Sequence, residues 1–168
     1  MIRHVLAGLA CALAVAGPAT AAVHWTLDVD GDGALLTTGK PHGGQTGVTA
    51  MNCAGGERVA DLFFNVRHRV MVRTQDDVPV NAAGEAPPWN VRVTVRSGRF
   101  VGRFAGHALP DEESGGSSIE AAVPMASPVM RAFARTGRLR LSAYGVGPVL
   151  PTAPPARAAR FARVCLQP

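Results

Sequence analysis

The stretch VRVTVRSGRFVGRFAG, Val91 to Gly106, decides how the rest of the chain is read. Apolar and polar residues alternate on both sides of Ser97-Gly98, the period-two pattern of strands with one buried face. A two-residue turn at Ser97-Gly98 pairs Val95 with Phe100, Val93 with Gly102 and Val91 with Phe104. Those six then share one face, so turn and hydrophobic pattern agree on register. The other face sets Arg96 opposite Arg99 and Arg92 opposite Arg103. Like charges directly opposite on a sheet are destabilising, and a broken local rule directs attention to function. Arg92, Arg96, Arg99 and Arg103 are therefore candidate anion-binding residues, because guanidinium is a planar fork suited to carboxylate and phosphate. The ordinary alternative is that Asp61, Glu57 or Glu120 on a neighbouring strand neutralises them.

Working outward, most of the chain reads as β. AVHWTLDV and ALLTTG flank an Asp/Gly turn, Thr46 to Cys53 forms a strand, and ERVADLFFNV returns with Ala60, Leu62, Phe64 and Val66 on one face. Val70 and Val72 suggest a further short strand. Residues 74–90 are polar and rich in Pro and Gly, and are expected to form one long exposed loop, a length often associated with function. SSIEAAVP adds a strand with Ile119, Ala121 and Val123 inward. The period then changes. SPVMRAFARTG has the cap chemistry of a short helix, with Ser127 at the N-cap, Pro128 at the first turn and Gly137 past the end. RLRLSAY resumes strand. PARAARFARVCL is a second helix, with Ala158, Phe161, Ala162 and Cys165 on one buried stripe. The expected fold is mainly β: an antiparallel β-sandwich or barrel of about 7–9 short strands with two short C-terminal helices.

The first residues set the compartment. A short basic start, the apolar run Val5 to Gly17, and small residues Ala19 and Ala21 form a signal peptide over residues 1–21, too short to span a membrane. Removing it leaves one β-rich domain over 22–168, exported to the periplasm or secreted. It also removes Cys11, so Cys53 and Cys165 remain as an even pair. In an oxidising compartment they read as a disulfide. Such a bridge closes a loop of more than a hundred residues and contributes roughly 4–5 kcal/mol on the chain-entropy account.

Other constellations are weaker. Asp28, Asp30, Asp32 and Gly33 fit the first half of a calcium loop, but Gly39 stands where the bidentate Glu belongs, and no helices flank it. A hairpin turn explains the segment better, because Asp-Gly pairs are strong turn formers. His24, His42, His68 and His107 show no ligand spacing, and no cofactor is expected. No nucleophile elbow occurs, and Asp111, Glu112 and Glu113 read as a solvated turn. From Ala121 onward there are seven arginines and no acid. Nucleic acid is disfavoured by export and by the scarcity of aromatics. The functional expectation is a non-enzymatic exported domain that binds an envelope component or protein partner, an anionic one through the arginine face. The alternatives are a secreted protease or lysozyme inhibitor acting through residues 74–90, with Trp89 as anchor, and a small hydrolase.

Overall fold

The computed structural model describes residues 24–39 and 49–167. The expected signal peptide, Lys40, His42 and the first three residues of the strand expected from Thr46 lie outside them. In chain order the elements are β1 (Trp25–Asp30), β2 (Gly33–Thr38), β3 (Thr49–Cys53), β4 (Val59–Val66), β5 (Arg73–Gln75), β6 (Val78–Val80), β7 (Trp89–Ser97), β8 (Phe100–Asp111), β9 (Gly116–Pro124), α1 (Pro128–Thr136), β10 (Arg140–Ser142) and α2 (Pro155–Leu166). Eight strands form one antiparallel sheet in the order β1-β2-β3-β4-β9-β8-β7-β10, and β5 and β6 form a separate ribbon.

The sheet curls because its two ends pack on the same pair of helices. α1 packs on β7 and β8, α2 packs on β1 and β2, and the helices pack on each other. Inward residues of the strands and the apolar faces of both helices form one core. It includes Trp25, Leu62, Phe64, Val93, Ile119, Phe133 and Phe161, each under 2% exposed. The alternation in β4 follows the sequence pattern: Ala60, Leu62, Phe64 and Val66 are buried, and the residues between them are half-buried.

Both helices form where expected. At α1 the Ser127 hydroxyl accepts from the Met130 N–H, Pro128 occupies the first turn, and Gly137 at φ +66° ends the helix with its N–H on the Phe133 carbonyl. Ser127→Ala removes the acceptor for that otherwise unpaired donor. It should cost about 1 kcal/mol in chemical denaturation, with no change in the slope. On α2, Ala158, Phe161, Ala162 and Cys165 are buried together with Val164. Cys165 reaches β3 and bonds to Cys53, Cα atoms 5.5 Å apart. The helix is thereby joined covalently to the sheet.

Three local expectations are corrected. The central hairpin turns at Gly98-Arg99, not Ser97-Gly98, so Ser97 pairs with Phe100, Val95 with Gly102 and Val93 with Phe104. Glycine takes the first turn position at φ +57°, as a type II′ turn requires. The β1–β2 turn repeats this chemistry, with Gly31 at φ +58° and Asp30 paired to Gly33. A register change of two residues keeps every side chain on its expected face but alters who stands opposite whom. Second, Val70 and Val72 are not in a strand; the ribbon begins at Arg73. Third, residues 74–90 are not one open loop. Asp76 and Asp77, both at positive φ, turn β5 into β6. The Asn81 side-chain oxygen then accepts from the Ala83 and Glu85 N–H groups at 3.0 and 2.9 Å.

Candidate functional site

The outward face of β7, β8 and β10 carries arginines in a different arrangement from the expected one. In the true register Arg96 stands opposite Val101, Arg103 opposite Thr94 and Arg92 opposite Ala105. Arg99 sits in the turn with its guanidinium 5.2 Å from the centre of the Phe100 ring. The like-charge pairs across the hairpin therefore do not form. A different one does: β10 pairs with β7 so that Arg140 lies directly across from Arg96, and both are exposed. Arg138, two residues before Arg140, is exposed beside them.

Among the described residues, none of the acids expected to neutralise this face forms an ion pair with its arginines. Glu120 on β9 lies opposite His107, four residues along β8 from Arg103 and two from Ala105, the partner of Arg92, and it pairs with neither arginine. Asp61 is on β4, opposite Asn52 and Ala122, with all of β9 between it and β8. Strands lie about 4.8 Å apart, so Asp61 is at least about one Debye length away at ordinary salt. Glu57 lies in the turn between β3 and β4. Among the described residues no carboxylate pairs with Arg92, Arg96, Arg103, Arg138 or Arg140. Acids instead gather at the other end of the sheet, with Asp28 and Asp30 on β1 and Asp32 in the turn. That segment is a two-residue hairpin, and among the described residues no group of three His, Cys, Asp or Glu side chains could hold a metal.

Arg96, Arg138 and Arg140 line a groove of about 930 Å³, whose floor adds the Thr94 and Ser142 side chains. The opposite wall is Gly147-Pro148-Val149-Leu150-Pro151-Thr152. Local chemistry fixes this wall at both ends. On one side Ala143 and Val146 exchange backbone hydrogen bonds of 2.8 and 3.0 Å around a Tyr144-Gly145 turn. Gly147 then runs so close to β10 that a Cβ there would fall 1.8 Å from the Leu141 carbonyl oxygen, which is why no side chain stands at this position. On the other side the Trp25 indole N–H donates to the Pro151 carbonyl at 2.7 Å, and the Ala153 N–H donates to the Gly137 carbonyl at 2.9 Å. Between these anchors Val149 is 99% exposed.

No known protein family, curated protein or solved structure matches this chain. Its own residues place three arginines and the Gly147–Thr152 segment around one groove. The chemistry available is charge-assisted hydrogen bonding to an anion by guanidinium groups that lack protein partners, aided by neutral hydroxyls.

Two further expectations meet the structure here. Trp89 is 3% exposed, with its indole N–H on the Glu85 carbonyl at 2.8 Å, so it is a core residue and not a loop anchor. It closes one side of a second pocket of about 550 Å³, where His68 and Tyr144 stack with ring centres 4.4 Å apart. Of the groove arginines, only Arg96 belongs to the set singled out in the hairpin. Arg138 and Arg140 were visible merely as part of a basic C-terminal region, because their approach to Arg96 depends on a pairing between β10 and β7 that no local pattern announces.

Proposed function

We propose that this chain is an exported, non-enzymatic binding domain that recognises an anionic envelope component through the groove lined by Arg96, Arg138 and Arg140. The observation that carries this reading is the juxtaposition of Arg140 with Arg96 across β10 and β7, with no carboxylate to offset it. Two guanidinium groups held side by side repel each other, and an anion between them turns that repulsion into attraction. The Cys53–Cys165 bond fits an oxidising compartment, periplasmic or extracellular. Among the described residues no helix is long and apolar enough to cross a membrane.

The test is a titration with inorganic polyphosphate as a soluble phosphate probe, at low and moderate salt, beside retention on lipopolysaccharide. Affinity should fall as salt rises. At about 1 kcal/mol per arginine near an anionic surface, the Arg96→Gln, Arg138→Gln, Arg140→Gln variant should bind roughly a hundredfold more weakly. Arg92→Gln with Arg103→Gln, outside the groove, should lose much less. Equal affinity of the groove variant and the wild type would sink the assignment.

A further inference from the structure

We infer that the groove docks the protein on the surface of an anionic lipid bilayer, with the Pro148–Pro151 wall entering the head-group region while the arginines hold lipid phosphates. This deepens the anion-binding reading above and rests on it. The motivating observation is one that a soluble anion leaves unexplained. Val149 keeps 99% of its surface in water on a segment that is anything but loose: the Ala143–Val146 bridge and the close passage of Gly147 past Leu141 fix one end, and the Trp25–Pro151 hydrogen bond fixes the other. Val146, on the same segment, is 44% exposed. Prolines on each side of the Val149-Leu150 pair restrict the backbone further and remove two N–H donors that would otherwise need partners away from water.

Burying such a fixed valine under an apolar cover would contribute about 1.5–3 kcal/mol. The cover must be apolar at the tip and anionic at the base, because Arg96, Arg138 and Arg140 line the same groove as Val149. A bilayer containing acidic lipids presents both properties together: phosphates at the surface and acyl chains just beneath. One short apolar insertion gives reversible attachment, and the arginines supply the second, salt-sensitive contribution that surface-bound proteins commonly need.

The experiment is co-sedimentation of the disulfide-bonded protein with phosphatidylcholine vesicles, with and without phosphatidylglycerol, alongside the polyphosphate titration. The wild type should sediment with the phosphatidylglycerol vesicles and bind pure phosphatidylcholine far more weakly. Val149→Ser, a neutral change, should lose about tenfold in affinity for the phosphatidylglycerol vesicles, the scale of burying one aliphatic side chain. Since Val149 touches almost nothing, the fold should survive, and an unchanged denaturation midpoint verifies that it does. Val149→Trp should bind vesicles more tightly, with a blue-shifted emission on binding. A wild type that binds polyphosphate but no vesicle overturns the bilayer inference and leaves the anion groove standing, as does Val149→Ser binding vesicles like wild type. A wild type that binds neither overturns both.

Discussion

Replacing Cys53 and Cys165 together by alanine should lower stability by about 4–5 kcal/mol, read as a fall in the denaturation midpoint. The bridge spans 112 residues of sequence, so its removal releases a large loop in the unfolded chain. In the folded protein it does something more local. β3 is an interior strand and α2 is the last helix, and the bond holds the helix over the core where Phe161 is fully buried. A domain of this size has a total stability of about 5–15 kcal/mol; the double variant should therefore lose about a quarter of it or more. Both cysteines are 5% exposed or less, so reductant should act on the native protein only through opening of the structure. A loss under about 1 kcal/mol would show that packing of α2, rather than constraint of the unfolded chain, keeps the helix in place.

Trp25→Ala should cost about 3–5 kcal/mol, the range for deleting a large buried aromatic. Trp25 is completely buried, its ring centre 6.4 Å from that of Phe133 on α1. It also connects three parts of the molecule. Its backbone carbonyl accepts from the Arg157 guanidinium on α2, and its indole N–H donates to Pro151 in the groove wall. Trp25→Phe separates these roles. It keeps most of the packing but leaves the Pro151 carbonyl without its donor, which should cost about 1–2 kcal/mol. Amide exchange of residues 149–153 should accelerate in that variant while the strands remain protected. Unchanged exchange would mean that the wall is held by Ala153 and Gly147 alone.

How much of this was legible in the sequence depended on how local each signal is. The two helices were readable because caps and period lie within a dozen residues: Ser127, Pro128 and Gly137 for one, the Ala158–Cys165 stripe for the other. The faces of the central hairpin were readable for the same reason. Its register was not, because Ser97-Gly98 and Gly98-Arg99 both suit a tight turn, and only the demand for glycine in the first position separates them. In residues 74–90 proline and glycine mask structure built from Asp76-Asp77 and Asn81, and nothing local marks Trp89 as the start of β7. The disulfide followed from arithmetic once Cys11 was assigned to the signal peptide. The groove was hidden for a different reason. Arg96 and Arg140 meet through the pairing of strands 44 positions apart, and the wall from Gly147 to Thr152 has no period at all.

The sheet is closed by α2, whose twelve residues bridge its first strands to α1 and carry half of the disulfide. Every nascent chain that has not yet released Pro155–Leu166 therefore lacks the piece that brings the ends of the sheet together. Native pairing is dominated by contacts distant in sequence, which form slowly. Closure of the sheet thus waits for this one segment: until Pro155–Leu166 is in place and the Cys165 thiol is oxidised, the strands already made lack the piece that joins their two ends.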